Sequence, residues 1–264
     1  MARLTGIIRF VGSIGGLRNF KRLHDPNIYA SEKGGVDKNI YKTSRVFKNN
    51  RLSNDEFSGC ARAVKNIRRG FRLLIPEMVD SGFTERLMKF TRKLTLKDVE
   101  NDKGKRSLRF SVYRSWMREL YFNKKYKAMD SAMYALRIAH SDSRTEAILE
   151  VKGLKMKMSD APAGATKYRI LNHLSIVSDY CYSDDLLRYE PTNQLDGLRA
   201  FVYSDLADLG VELTTQLTVA FPEGTVIGED CSVVHCVAIV FLEYDGPNGY
   251  RPIYGASLRV MDVF

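Results

Sequence analysis

Apolar and polar positions follow two rhythms along the 264-residue chain, and the change comes near residue 145. Phe57, Ala61, Val64, Ile67, Phe71 and Leu74 recur at three- and four-residue spacing. That spacing lines one face of a helix. Arg62, Lys65, Arg69 and Arg72 lie mostly off the stripe. Ser53-Asn54-Asp55-Glu56 reads as a capping box that starts this helix, and Pro76 closes or kinks it. Thr84 to Leu96 predicts a second helix with Leu87, Phe90 and Leu94 inward. Leu108 to Phe122 predicts a third, with Val112, Trp116 and Leu120 on one side. Residues 128–140 fit helix or strand.

Beyond residue 145 the period becomes two. Val211, Leu213, Leu217, Val219 and Phe221 alternate with Glu212, Thr214, Gln216 and Thr218, as in a half-buried strand. Tyr168, Ile170, Leu174 and Ile176 alternate similarly with Lys167, Arg169, His173 and Ser175. Val233 to Leu242 is almost wholly apolar, which fits a strand covered on both faces. Around Gly153 the apolar phase shifts, which predicts a turn or bulge. Asp245-Gly246-Pro247-Asn248-Gly249 is a hairpin turn, and Ala256 to Val263 a last strand.

The N-terminus also reads as β structure. Gly6 to Gly12 predicts a strand, Ser13 to Gly16 a turn, Leu17 to Lys21 the returning strand, and Ile28 to Ala30 a third. So short a hairpin is marginal alone and needs a partner to bury one face. The expected fold class is α+β: a basic hairpin arm and connector over 1–52, a basic helical region over 53–144, and an antiparallel β-sandwich of immunoglobulin-like kind over 145–264. The cysteine pair and core tryptophan of a true immunoglobulin domain are missing.

Charge sharpens the division. Residues 1–150 carry 32 Lys/Arg against 16 Asp/Glu, and residues 151–264 carry 9 against 15, so nets of +16 and −6 make up the overall +10. The basic half would suit nucleic acid, an acidic surface, or the acidic half of another copy. Cys60, Cys181, Cys231 and Cys236 form no CxxC pair and no disulfide framework, which fits reduced thiols. Arg9 and four glycines make residues 1–16 a poor signal peptide, and Val233 to Leu242 is too short to span a bilayer as a helix. The expected setting is the cytoplasm, or a particle assembled there.

Catalytic motifs are absent: there is no G-x-S-x-G, Walker loop or H-E-x-x-H, and Gly12, Gly15 and Gly16 do not form G-x-G-x-x-G. Cys231, His235 and Cys236 are the nearest approach to a metal cluster, but in a strand Cys236 points away from the other two. Asp179, Asp184 and Asp185 lack the spacing and glycine of a calcium loop. No enzyme, cofactor, metal or small-molecule substrate is expected. The sharpest binding candidate is the stretch 106–127. Arg106, Arg109, Arg114, Arg118, Lys124, Lys125 and Lys127 would meet phosphates, with Arg62, Lys65, Arg69 and Arg72 of the first helix adding phosphate contacts, and interleaved Phe110, Tyr113, Trp116, Tyr121, Phe122 and Tyr126 would stack bases. At helical spacing the same aromatics would instead form a core stripe.

Gly12-x-Ile14-Gly15-Gly16-Leu17-x-x-Phe20-Lys21 resembles the opening of a family of uncharacterised Bacteroidota proteins, with Phe20 where that family usually has tyrosine. Arg51-x-x-x-x-Glu56-Phe57, Ala161 to Thr166, and the closing hairpin from Val237 to Val263 are similar to it too. Residues 106–145 depart more, being richer in basic and aromatic residues. The resemblance implies an N-terminal hairpin, helices, a terminal β-domain, and a bacterial or bacteriophage setting; it carries no activity. Together these features make the leading expectation a non-enzymatic assembly protein. It would self-associate through Ile7, Phe10, Ile14, Gly15, Gly16, Leu17 and Phe20 of the arm and through its oppositely charged halves. The alternative is a nucleic-acid-binding accessory protein using residues 1–130.

Overall fold

The computed structural model describes residues 2–3, 10–22, 25–32, 34–71, 78–126 and 128–264. The chain is mixed α+β and divides into two units, Met1–Arg51 and Leu52–Phe264. No helix among the described residues is long and apolar enough to cross a membrane.

In the first unit β1 (Ala2–Arg3), β2 (Gly12–Ile14), β3 (Leu17–Lys21) and β4 (Ile28–Glu32) form an antiparallel sheet in the order β1-β4-β3-β2. The strand expected over Gly6 to Gly12 falls largely on residues 4–9, outside the described residues. Ile14 pairs with Leu17 across Gly15-Gly16, and Gly15 takes a positive φ of 58°, so glycine closes this tight turn. Helix α1 (Lys38–Thr43) follows, capped by the Asp37 carboxylate, which accepts from the amides of Asn39 and Ile40.

Helix α2 runs from Lys48 to Gly70, so it begins five residues before the capping box at Ser53. The physical reason is upstream. A 3-10 turn at Arg45–Phe47, capped by Ser44, leads straight into α2, and no new cap is needed at Ser53. Glu56, 1% exposed, is free for other work. Its carboxylate accepts from the Gly104 amide at 3.0 Å, pairs with Arg92 at 2.7 Å, and lies 3.8 Å from Arg106. Helix α3 (Phe83–Thr95) lies where expected. The expected third helix does not form over Leu108–Phe122; one turn, α4 (Arg114–Met117), is helical. Leu108 instead exchanges backbone hydrogen bonds with Tyr180, and Val112 is exposed. Residues 128–140 hold both forms: α5 (Ala128–Ala132), then β5 (Leu136–His140).

The largest sheet is built on two long strands. β6 (Glu146–Lys155) precedes β7 (Lys167–Ser178), followed by the hairpin β8 (Tyr180–Ser183) and β9 (Arg188–Pro191). Then come β10 (Arg199–Tyr203), β11 (Ala207–Asp208), β12 (Glu212–Ala220), β13 (Cys231–Tyr244), β14 (Tyr250–Pro252) and β15 (Ser257–Val263). β7 and β13 pair antiparallel from Lys167↔Leu242 to Ser178↔Cys231. β10 and β11 flank β7, while β14 and β15 flank β13. A second sheet has the order β12-β6-β5. Its register shifts between Leu213 and Thr215, opposite Gly153 (φ 66°), where the apolar phase changes.

Both faces of the long strands are covered. On one face Tyr168, Ile170, Val237, Ile239 and Phe241 pack with Leu149, Val151, Leu154 and Leu217 of the smaller sheet. On the other, Leu171, Val177, Val234, Cys236 and Val240 pack with Cys60, Val64 and Ile67 of α2, with Phe71 just beyond it, and with Phe83, Leu87 and Leu94 of α3. β7 is therefore not half-exposed as its alternation suggested. His173 and Ser175 sit buried beneath α2. A Cβ at Gly59 would lie 2.5 Å from the Tyr189 ring, and one at Gly70 would lie 2.2 Å from Ser175 Oγ. Glycine at these two sites lets the helix sit directly on the strands beneath it.

Candidate assembly arm and basic cleft

Strand alternation divides the arm's apolar residues between two faces. Ile14 and Leu17 are cross-strand neighbours, 65% and 51% exposed, and nearby Val11 is 61% exposed. Phe20 points to the opposite face and meets Tyr29 at 6.2 Å between ring centroids. Phe10 is half-buried near Gly12. Ile7 lies outside the described residues. Among the described residues β2 has a neighbour on one side only, so its other edge presents unpaired backbone groups.

The basic residues expected to meet phosphate are largely occupied. Arg62 pairs with Glu190 at 2.6 Å and Arg109 with Glu100 at 2.5 Å, while Arg106 is near Glu56. Arg114 is spent on β13 and the turn before it, donating to the carbonyls of Glu229 and Cys231 and to Ser232 Oγ. Arg118 is bound to Asp262. Lys65 and Arg69 are exposed on α2, and Arg72 lies outside the described residues. Lys124 and Lys125 are exposed, and the Lys125 ammonium lies 5.3 Å from the Tyr126 ring centre. The aromatics of 106–127 split likewise. Phe110 and Phe122 are core, and Tyr113 and Trp116 pack at its edge, with Lys93 and Lys97 over the Trp116 ring.

Tyr121 and Tyr126 escape that fate. They line a cleft of about 350 Å³ with Arg118, Lys124, Asn123 and, from β15, Arg259. Leu120, Met129 and Leu258 supply its apolar lining. The wall is firmly held. Arg86 donates to the carbonyls of Tyr121 and Phe122 at 2.9 and 3.0 Å, and Asp80 accepts from the Lys124 amide at 3.1 Å while pairing with Arg86 at 2.8 Å. Burial alone would raise the Asp80 pKa, but Arg86 and the backbone amides together hold it below the usual carboxylate value. Arg259 and Leu258 lie too far along the chain for local pattern to join them to Tyr121 and Lys124.

A second polar feature was not visible in sequence. His140 Nε2 and His235 Nδ1 are 3.0 Å apart, and His235 Nε2 donates to Asn172 Oδ1 at 2.6 Å. His140 Nδ1 lies 3.9 Å from Asp262, the partner of Arg118. The available signal was His235 itself, an ionisable residue inside an apolar strand. Cys231 and Cys236 pack into different clusters on opposite faces of the sheet, so they do not converge with His235. Among the described residues no group of three or more His, Cys, Asp or Glu is arranged to hold a metal. Asp184 pairs with Lys105, and Asp179 accepts from the Ser111 amide and hydroxyl.

No family model, curated protein or solved structure matches this chain.

Proposed function

We propose that this protein is a non-enzymatic structural component that self-associates through its N-terminal arm, in a filament or phage-like particle of a bacterial setting. The reading places it in the cytoplasm or in a particle assembled there. The observation that carries it is the exposed cross-strand pair Ile14 and Leu17 beside the open edge of β2. Isolated exposed apolar residues are ordinary, but a cross-strand pair at an open hairpin edge favours addition to another strand. A second copy is the occupant that charge supports. Residues 1–51 carry 11 Lys/Arg against 3 Asp/Glu, whereas residues 151–264 are net negative. Complementary charge would orient the copies and speed their encounter. Two antiparallel sheets sharing buried clusters support a β-sandwich, covered by helices, as the body that carries the arm.

Light scattering on the full chain, from low to high salt and across protein concentrations, tests the reading. An oligomer that dissociates as salt rises is expected. A monomer at every concentration in low salt would refute it.

The cleft favours a second reading, a nucleic-acid accessory protein. Its support has narrowed, because ion pairs and carbonyls occupy most of the arginines that would have met phosphate. Arg114 is unsuitable for testing it, since its removal would unpin the chain before β13. Lys124 is the better position.

A further inference from the structure

We infer that the cleft between residues 118–126, α5 and β15 is a binding site for one nucleoside monophosphate unit, free or within a single strand. Three features of the cleft together point to that chemistry. The first is charge. Arg118, Lys124 and Arg259 outnumber the one acid in the lining, Asp130. Lys124 has no acidic partner among the described residues, so it meets an anion without exchange. Arg259 holds Asp130 in a solvent-exposed pair, while Arg118 holds the partly covered Asp262. An exposed pair is weak, so a phosphate can compete for the Arg259 guanidinium, while Arg118 adds its charge to the cleft wall.

The second feature is aromatic. Tyr121 is 64% exposed and Tyr126 is half-buried, its ring set edge-on to Tyr254 at 5.6 Å. With Leu120, Met129 and Leu258 they offer a planar base an aromatic and apolar bed beside the cations. A bare inorganic anion would leave that bed unused. The third is size and rigidity. At about 350 Å³ the cleft is at the small end of ligand pockets, which suits one nucleotide and not a duplex. The Asp80–Arg86 clamp fixes the 121–124 backbone before any ligand arrives, which lowers the ordering cost of binding. Asn123, buried in the wall, adds an amide nitrogen without an acceptor.

Calorimetric titration of the full chain at low salt with adenosine 5′-monophosphate, adenosine, inorganic phosphate and a short single-stranded oligo(dA) tests the site. The monophosphate is expected to bind more tightly than adenosine or phosphate. Tyr121→Ala should weaken it by about tenfold while leaving weak phosphate binding unchanged. Lys124→Glu should weaken both by at least as much, and Lys152→Glu, exposed on β6 outside the cleft, neither. Oligo(dA) binding more tightly than the monophosphate identifies a strand as the source; equal or weaker binding identifies the free nucleotide. No saturable binding of either would overturn the proposal. So would monophosphate binding no tighter than phosphate, or affinity unchanged in Lys124→Glu, with unaltered thermal unfolding confirming that both cleft variants fold. The arm and its assembly do not enter this test, so the two readings stand or fall separately.

Discussion

His140 and His235 share one hydrogen bond between their rings, and Asn172 decides which ring donates. The Asn172 amide nitrogen donates to the carbonyls of Ala147 and Leu217, so its oxygen must accept from His235 Nε2. His235 Nδ1 is then the acceptor, and His140 Nε2–H donates to it. A second proton on His235 would set two donors against each other.

Loss of stability in mild acid follows. Burial holds His235 down to about 3 and His173 down to about 4, from an ordinary 6.5. Both stay neutral in the fold while the unfolded chain takes up protons below 6.5. Their stabilisation is thus complete above that pH and is lost as pH falls towards the folded values. Below pH 6.5 each contributes a slope of up to about 1.4 kcal/mol per pH unit, so together they should cost the fold about 4 kcal/mol between pH 7 and pH 5. Urea unfolding at a series of pH values measures this. His173→Gln should flatten the slope by roughly half, and an unchanged slope would contradict the assignment.

Gly59 tests the seating of α2. Alanine normally stabilises a helix interior by about 1 kcal/mol over glycine. Here its Cβ would press on the flat ring of buried Tyr189. Overpacking of this kind costs about 1–3 kcal/mol, so Gly59→Ala should lower the midpoint of urea denaturation despite the better helix former. A raised midpoint would show that the contact is loose.

Glu56→Gln keeps the shape of the side chain and removes its charge. The Gly104 amide keeps an acceptor, but Arg92 loses its counter-ion. Arg92 is partly exposed and can hydrate, so the loss should be about 2 kcal/mol, not the larger penalty of a wholly buried orphan. Chemical denaturation of the variant at neutral pH gives the figure.

Ile14→Asp with Leu17→Asp addresses the arm. Both side chains are exposed, so the thermal unfolding midpoint should hardly move. The oligomer seen by light scattering at low salt should fall to smaller species. Retention of full mass would locate assembly elsewhere on the molecule.

The strands were more legible than the helices. Leu213 to Phe221 and Val233 to Leu242 carried their burial in plain alternation or in its absence, though Val211, placed on the same face, is exposed, and Gly153 marked its own bulge. β7 misled because His173 and Ser175 are polar yet covered; the Gly70 carbonyl accepts from the ring of His173 and makes that burial tolerable. Ser53 to Glu56 had the residues of a cap, but the turn at Arg45–Phe47 had already started the helix. The apolar residues of 108–122 had helical spacing, while their partners lay on distant strands, as at Leu108 and Tyr180. Of the cleft, Tyr121, Lys124 and Tyr126 could be read as a basic, aromatic stretch. Arg259 could not, since only tertiary pairing brings it beside Tyr121.

The pairing of β7 with β13 also governs how this chain reaches its fold. Its nearest-in-sequence rung joins Ser178 to Cys231, and every later rung closes a longer loop, out to Lys167 with Leu242. Loop entropy must be spent before any rung repays it, so the sheet belongs to the slow class of folding topologies, milliseconds to seconds. Throughout that interval an apolar strand such as Val233 to Leu242 stands uncovered. The window for misassociation is therefore set by the wait between its synthesis and its capture by β7.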